Sequence, residues 1–263
     1  MKRRQARCTL RSVTIMKILF AGESWTTHSI HIKGFDTFTT SRYEEGASKL
    51  QEDVRQRGHE IDYLPGQYVA ERFPDTLEAL NQYDVIVVSD VGANTFYLSD
   101  DTFVRSKIKA DRLELVRRYV EGGGGFLMVG GYMSFQGIDG KARYHGTPIE
   151  TCLPVNMQSV DDRVERPDGV SPEVIIPDHS ILQGIPVKWP CFLGYNRISA
   201  KPVAELIMKA KDDPFLSVIE YGKGRTAAFA SDCSPHWGAP EFLNWEHYGD
   251  FWTQLLEWLA KQR

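Results

Sequence analysis

The residues best suited to chemistry lie in two polar segments of the chain. Near the C-terminus, His236 follows Asp232 and Cys233. An imidazole can act as a general base, and a nearby carboxylate can orient it or store a proton. Near the N-terminus, Glu23 opens a stretch that also contains His28. We predict His236, Glu23 and Asp232 as catalytic residues, and we expect no metal ion or other cofactor.

The polar stretch that begins at Glu23 has two interpretations. Glu23, His28 and His31 could bind a metal ion, but their irregular spacing is a weak signal for such a site. A polar loop whose side chains bond their own backbone has the same composition. Because the stretch follows the first predicted strand, we expect it to face the pocket. Ser24, Trp25 and His28 are therefore predicted ligand-binding residues.

Cys233 is an alternative nucleophile because it lies three residues before His236. A small buried thiol explains the same residue, and low reactivity at neutral pH would favour that explanation. His236 also has a structural alternative, in which its ring bonds a loop carbonyl and packs against Trp237. Both Cys233 and Trp237 are included among the predicted ligand-binding residues.

A glycine-rich stretch at 122–135 predicts a strand followed by a sharp turn at Gly130 and Gly131. In α/β enzymes, such a turn leads into a helix and exposes one residue beside backbone amide donors. We expect Gly130 and Gly131 to offer N–H groups to an anionic or carbonyl oxygen. Ser134 is predicted to cap the following helix, and Tyr132 to line the pocket.

Strand and helix patterns alternate along the chain. Predicted strands cover 18–22, 60–64, 83–89 and 126–129, predicted helices cover 45–57, 74–80, 111–121 and 248–261, and a hairpin joins 216–221 to 226–230. This alternation predicts an α/β fold with a doubly wound, mostly parallel sheet and helices on both faces, as in flavodoxin-like proteins. Ligands of such sheets bind at the carboxyl ends of strands, which adds Asp90 to the predicted pocket. Asp90 could instead cap a helix.

The region 137–190 differs from this alternation. It is rich in Pro, Asp, Arg and Gly, with short strand candidates at 155–160 and 173–176. We interpret it as a β-rich insertion that covers one edge of the sheet. Since no linker or repeat is visible, we expect 16–263 to form one domain. Residues 1–15 are basic and polar, and we expect a disordered leader or a gene-model extension before a true start at Met16.

The composition is typical of a soluble globular protein, with 42% hydrophobic and 25% charged residues. The formal net charge is −4, and no basic run follows residue 15, so we expect no nucleic-acid or membrane partner. The 4 cysteines are widely separated, which favours reduced thiols and a cytoplasmic location. A small-molecule ligand remains the expected partner, together with a second copy of the chain.

Five segments in order resemble the class I glutamine amidotransferase-like superfamily, especially its branch near the ThuA-like proteins. They are 17–22, 83–90, 129–131, 178–186 and 224–237. In active members of that family, a cysteine at the turn is deprotonated by a histidine after the last core strand. Gly130 and Gly131 occupy the turn here, and His236 occupies the histidine position. The resemblance thus implies that acyl-enzyme chemistry is lost.

Three functions remain open from the sequence. The first is binding of a small polar metabolite without glutaminase activity. The second is a hydrolase or isomerase that uses His236 on a sugar-like substrate. The third is a non-catalytic homo-oligomer, assembled through the glycine-rich edge and the aromatic C-terminus.

Overall fold

The structure is a computed structural model that describes residues 14–263. The predicted leader at 1–15 lies outside this range except for its last two residues. The strands are β1 Lys17–Gly22, β2 Ser24–Lys33, β3 Asp36–Glu45, β4 Glu60–Leu64, β5 Val85–Ser89, β6 Gly125–Val129, β7 Val155–Asn156, β8 Arg163–Val170, β9 Glu173–Val174, β10 Phe192–Asn196, β11 Ser199–Ala200, β12 Glu205–Ala210, β13 Asp213–Tyr221 and β14 Gly224–Phe229. The helices are α1 Ser48–Gln56, α2 Gly66–Arg72, α3 Leu77–Leu80, α4 Ala93–Tyr97, α5 Asp100–Phe103, α6 Arg112–Gly122, α7 Pro148–Cys152, α8 Pro240–Leu243 and α9 Tyr248–Leu259, with 3-10 turns at Ile138–Gly140 and Ser180–Leu182.

Eight strands form the main sheet, in the order β4-β1-β5-β6-β14-β13-β12-β9. The pairings from β4 to β14 are parallel, and those from β14 to β9 are antiparallel. After β1 the chain crosses to β4 on one side, and it then returns to β5 on the other side of β1. This reversal creates a crevice at the carboxyl ends of β1 and β5, where doubly wound sheets bind ligands. The predicted α/β fold is confirmed.

The central strands form because their side chains are apolar on both faces. Every residue of β5 and of β6 is buried, as expected for parallel strands covered by helices on each side. Helix α6 begins after Asp111, whose carboxylate accepts a bond from the Glu114 N–H at 3.0 Å. The helix ends at Gly123, whose φ of 131° favours glycine. These local signals determine where α6 begins and ends, directly before β6 enters the centre of the sheet.

The aromatic C-terminus belongs to the core. The Phe229 ring centroid lies 5.1 Å from that of Trp252, and the Phe242 ring packs at 5.1 Å from Tyr248. Trp237 is also buried, whereas Trp245 is half-buried. The core thus covers most of the aromatic side chains that were considered for an oligomer interface, and Trp245 remains half-buried.

The insertion at 137–190 adds short antiparallel pairs at the far end of the sheet. Strand β9 pairs with β12 as the last strand of the main sheet, β8 pairs with β10, and β7 pairs with β11. The predicted β-rich insertion is confirmed, although two of its strands are only two residues long. Within residues 14–263, no helix is long and apolar enough to cross a bilayer.

The polar stretch after β1 is a strand, not a loop. It pairs in register with β3 from Ser24↔Glu45 to Lys33↔Asp36, and we call this two-stranded ribbon the arm. His28 Nδ1 lies 2.8 Å from Ser41 Oγ within the arm, and His31 is also exposed there. The prediction that His28 lines the pocket is wrong, because strand pairing carries it away from the sheet.

Candidate functional site

Four chain segments meet at the carboxyl edge of the sheet, and each contributes a residue with positive φ. Glu23 follows β1 with a φ of 50°, Asp90 follows β5 with a φ of 49°, and Gly131 follows β6 with a φ of 151°. His236, after β14, has a φ of 112°. Such angles are uncommon for residues other than glycine and tend to cluster at functional sites. The strand ends therefore define the candidate site.

Glu23 is the centre of a buried hydrogen-bond network. The Ser234 hydroxyl donates to Glu23 Oε1 at 2.6 Å, and the Ser89 hydroxyl donates to Oε2. The Glu23 N–H also donates to the Ser89 carbonyl at 2.8 Å. Cys233 Sγ lies 3.9 Å from Oε2. This network fixes the carboxyl group, whose side chain has no solvent exposure.

Three carboxyl groups share this buried region, so they oppose one another's ionisation. Burial, with a contribution from Asp90, raises the pKa of Glu23 to about 7. Burial and the charges of Glu23 and Asp90 raise the pKa of Asp232 well above its usual value. Burial also raises the pKa of Asp90, although the Met133 N–H and the nearby His236 act in the other direction. The group therefore retains protons near neutral pH.

Glu23, Asp232 and Cys233 are also close enough to share a metal ion. Their ligand atoms all lie within 4.8 Å of one another. However, the two oxygens of Glu23 already accept hydroxyl donors from Ser89 and Ser234. We therefore interpret the group as a hydrogen-bond network in which hydroxyl donors already occupy the Glu23 oxygens.

The glycine turn after β6 does not form the predicted anion hole. The Gly130 N–H donates to the Phe229 carbonyl at 2.8 Å, and the Gly131 N–H donates to Asn196 Oδ1 at 3.0 Å. In the described chain, the next helical segment is only the 3-10 turn at 138–140. Ser134 caps no helix, because its hydroxyl accepts a bond from the Asp90 N–H at 3.0 Å. The prediction of free amide donors with a helix behind them is wrong.

The same turn leaves no room for a side chain. A Cβ atom on Gly130 would lie 2.4 Å from the Ala230 carbonyl oxygen, and one on Gly131 would lie 2.8 Å from Asp90 Oδ1. Contacts below 3.0 Å require a neighbour to move, and at Gly130 that neighbour is backbone. This backbone is therefore specific for glycine at both positions.

Aromatic rings lie around His236, whose imidazole is close enough to Asp90 to act on its charge. The Trp25 ring centroid lies 4.9 Å from His236, and the Tyr132 ring stacks on the other side of His236 at 6.3 Å. Tyr132 also contacts the Trp237 ring at 5.5 Å. Tyr132 and His236 are exposed, and Trp25 and Asp90 are half-buried. We call the surface formed by these four residues the mouth.

Hydrogen bonds to Glu165 fix two of the aromatic side chains near the mouth. The Tyr132 hydroxyl donates to Glu165 Oε1 at 2.9 Å, and the Trp237 indole N–H donates to Oε2 at 3.1 Å. The guanidinium of Arg163 lies 4.9 Å from the Tyr132 ring centroid. Glu165 and Arg163 belong to the insertion, so the insertion contributes directly to the site.

The structure brings most of the predicted residues together at the strand ends. Those close to the network or the mouth are Glu23, Trp25, Asp90, Gly130, Gly131, Tyr132, Ser134, Asp232, Cys233, His236 and Trp237. Ser24 has a structural contact instead, because its hydroxyl accepts a bond from the Gly66 N–H at 2.8 Å. Sequence analysis missed Ser89, Asn196 and Glu165. Of these, only Ser89 had a usable signal, since it ends a predicted strand.

The contacts of the loop after β5 also decide the alternative role of Asp90. Asp90 does not cap α4, whose N-cap is Gly92; its Oδ1 accepts a bond from the Met133 N–H at 2.6 Å. Tyr144 is buried, and its hydroxyl donates to the Val91 carbonyl at 2.5 Å. It therefore supports the loop after β5 from within the core.

Cys233 is expected to resist thiol reagents in the folded protein. Burial, together with the negative charges of Glu23 and Asp232, raises the pKa of its thiol well above the usual value. Since the thiolate is the reactive form, alkylation at neutral pH should modify Cys233 only after unfolding. Peptide mapping after iodoacetamide treatment, with and without urea, would measure this. Cys191, which is half-buried, provides the internal comparison. Fast labelling of native Cys233 would restore it as a nucleophile candidate.

The fold and the position of the site define a doubly wound α/β protein with its candidate site at the switch point of the sheet. Residues 17–261 match the family described as "Putative glutamine amidotransferase". The chain belongs to this glutamine amidotransferase-like family. No curated protein matches the chain at a significant level.

Two solved structures from Salmonella are similar over nearly the whole chain. "Cytoplasmic Protein STM3548 from Salmonella typhimurium" is 48% identical, with a TM-score of 0.90, covering 93% of this chain and 99% of its own. "Cytoplasmic Protein STM1381 from Salmonella typhimurium LT2" is 50% identical, with a TM-score of 0.89 and the same coverage. A ThuA-like protein from Parabacteroides merdae is 10% identical, with a TM-score of 0.58, covering 95% of this chain and 91% of its own. This last likeness shows a shared fold.

Proposed function

We propose that this protein binds a small neutral or cationic polar metabolite at the mouth and does not hydrolyse glutamine. The observation that carries the proposal is the arrangement at the strand ends, where the half-buried Asp90 lies near His236 and the His236 ring contacts those of Trp25 and Tyr132. Such a combination of apolar ring faces and a few converging polar groups is typical of small-ligand sites.

The absence of a suitable nucleophile argues against glutaminase chemistry. Covalent hydrolysis of glutamine needs a reactive side chain at the turn, and the crowding at Gly130 and Gly131 leaves space for none. Cys233 is buried beside the carboxyl of Glu23, which disfavours its thiolate. Replacement of the family's cysteine by glycine at this turn is therefore part of the proposal.

The charge of the mouth selects the ligand class. Asp90 and Glu165 offer carboxylate acceptors near the aromatic rings, and Glu44 pairs with Trp25 across the base of the arm. The backbone donors of Gly130 and Gly131 are already used. A ligand with hydroxyl or amine donors fits these acceptors, whereas an anion meets like charges. Sugars and polyols could stack on the aromatic rings, and amines could also make cation–π contacts.

A second candidate function is acid–base catalysis on a sugar-like substrate without a cysteine. The observation in its favour is the pKa of Glu23, which lies at about 7 and so allows proton exchange at neutral pH. His236, at the surface near Asp90, would contact the substrate and transfer a proton to or from it. Asp90 and Glu23 would then act as the proton store behind the reacting group.

Thermal shift of the full chain would test the binding proposal. We expect trehalose, glucose, inositol, putrescine or choline to raise the Tm, and glucose 6-phosphate and glutamate not to. A ligand at 100 times its Kd stabilises the native state by about 2.7 kcal/mol. His236→Ala and Trp25→Ala should abolish the shift without unfolding the protein, since both side chains are at least partly exposed.

The control concerns a different cavity. A cleft of about 510 Å³ has both basic and acidic side chains in its lining, with Arg105 paired to Asp101 and Lys109 to Asp75, and it could also produce a shift. Arg105→Ala should therefore leave the shift by neutral or cationic ligands unchanged. Ammonia release from glutamine, or a shift only by anions that depends on Arg105, would overturn the proposal. Turnover of a stabilising sugar that is lost in His236→Ala would favour the catalytic alternative.

A cytoplasmic location is part of the same proposal. It is supported by the names of the two Salmonella proteins, each called a cytoplasmic protein, and by their high similarity to this chain. The half-buried thiol of Cys191 and the buried thiols of Cys152 and Cys233 also fit a reducing compartment.

A further inference from the structure

The arm extends from the site into solvent without a partner in the described chain. Each of its strands contains ten residues, paired in register to the turn at Gly34, so it is about 33 Å long at 3.3 Å per residue. Every residue from 26 to 43 is exposed. Its base contacts the rest of the protein, where Ser24 bonds Gly66, Trp25 packs on His236 and Tyr43 lies near Gln67. The arm is thus a structural element that the monomer leaves unpacked.

Several large apolar side chains of the arm are open to solvent. Ile30 and Ile32 are 71% and 73% exposed, Phe38 is 48% exposed, Tyr43 is 42% exposed and Phe35 is fully exposed. A two-stranded ribbon is at best marginally stable in water unless further strands or another surface cover it. A length of ten residues per strand with this apolar content therefore indicates a protein interface.

The outer edge of β3 is unprotected against strand addition. Proteins normally block exposed edge strands with proline, charged side chains (lysine above all), bulges or short length, and the charged residues of β3 are confined to Asp36 at one end and Arg42, Glu44 and Glu45 at the other. Strand β3 contains ten residues without proline, glycine, lysine or a bulge. In a hairpin with a two-residue turn, the pair next to the turn, here Lys33↔Asp36, is hydrogen-bonded. Along the strands, hydrogen-bonded pairs then alternate with pairs that are not hydrogen-bonded. The odd-numbered residues of β3 therefore direct their N–H and C=O groups outward.

We propose that β3 pairs antiparallel with β3 of a second copy of this chain, around a two-fold axis at Thr39. Two copies of the same strand edge can pair antiparallel around a two-fold axis, because each contact between residues i and j then occurs again between j and i. Thr39 then faces Thr39 of the partner subunit in a hydrogen-bonded pair, which agrees with its outward backbone. The result is a four-stranded sheet made from two arms.

Charge complementarity supports this register. With Thr39 at the axis, Asp36 lies opposite the partner's Arg42, and Arg42 lies opposite the partner's Asp36. Thr37 then faces the partner's Ser41, and Phe35 comes close to the partner's Tyr43. Opposite charges, hydroxyl pairs and aromatic pairs directly across two strands each stabilise a sheet.

The mass of the full chain in solution tests the proposal. Light scattering after gel filtration should give about twice the subunit mass of 29.9 kDa. Thr39→Pro removes an outward N–H that the hairpin does not use, so it should leave the arm intact. Because the substitution occurs twice in the dimer, it should raise the dissociation constant at least about 100-fold.

Two controls separate edge pairing from general damage. His28→Pro places proline on the outer edge of β2 instead, opposite Ser41 within the arm, and should leave the dimer unchanged. Arg42→Asp should weaken the dimer, because residue 42 would then place a negative charge opposite the partner's Asp36. The double variant Asp36→Arg with Arg42→Asp should restore the dimer, because opposite charges face each other again. A monomeric wild-type protein, or a Thr39→Pro dimer as tight as the wild type, would overturn the proposal.

Discussion

The unfolding free energy of the wild-type protein is expected to fall by about 3 kcal/mol as the pH rises, and the Glu23→Gln variant is expected to lose most of this dependence. The pKa of Glu23 is about 7 in the folded protein, against 4.5 as its ordinary value. One unit of pKa difference corresponds to about 1.4 kcal/mol. Between these two values the folded state binds more protons than the unfolded state, so stability falls as pH rises. Above pH 7 the loss is complete and constant.

Urea unfolding of wild type and variant from pH 4.5 to pH 8 would measure this effect. Glutamine resembles the protonated carboxyl in shape and neutrality, so the difference between the two curves isolates the titration of residue 23. The unfolding free energies should diverge with rising pH, in favour of the variant. Glu241→Gln, at an exposed position, should run parallel to the wild type. If the curve for Glu23→Gln also ran parallel to that of the wild type, the pKa of the Glu23 carboxyl would be the same in the folded and the unfolded protein.

The sheet could be predicted from the sequence because its signals are local. The apolar run of β5 and the Gly-rich end of α6 each depend on a few neighbouring residues. The return hairpin formed by β13 and β14 was also visible, since Gly222 marks its turn. The order of the strands then follows from the rules for parallel crossovers.

The arm could not be recognised in the same way. Its residues after Glu23 are mostly threonine, serine and histidine. Strands that are exposed on both faces lack the alternation of apolar and polar residues that marks a half-buried strand. The pattern was therefore interpreted as a loop. If the arm pairs with a second copy, its sequence is adapted to contacts that a single chain does not contain.

Most of the predicted site residues lie together at the strand ends, but the contacts between them were not predicted. Glu23, Asp90 and Asp232 come together only through the order of the strands, which the sequence pattern supports. The bonds of Ser89 to Glu23 and of Asn196 to Gly131 join residues 66 and 65 positions apart. No spacing rule predicts such pairs. The helix expected after Gly131 was wrong because tertiary contacts from Asn196 and Asp90 hold this turn instead.

Asp162→Ala is expected to destabilise the fold by roughly 3 to 5 kcal/mol. Its buried carboxylate accepts bonds from the N–H groups of Gln136 and Gly137, both at 2.9 Å, and from Asn196 Nδ2 at 2.8 Å. Each buried donor left without an acceptor costs about 1–3 kcal/mol. Urea unfolding at neutral pH would measure the loss. Asp161→Ala is the matched control, since the adjacent carboxylate is exposed and pairs with Arg163, and it should cost less than about 1 kcal/mol.

The Asp162 network also determines the shape of the mouth. Asn196 accepts a bond from the Gly131 N–H at 3.0 Å and donates to the Gly131 carbonyl at 3.2 Å, so Asp162 holds the glycine turn through Asn196. Tyr132 follows directly, and its ring forms part of the mouth. The variant should therefore weaken ligand binding at temperatures where it is still folded, whereas Asp161→Ala should bind normally. Full binding by a destabilised Asp162→Ala protein would show that the mouth keeps its shape without this support.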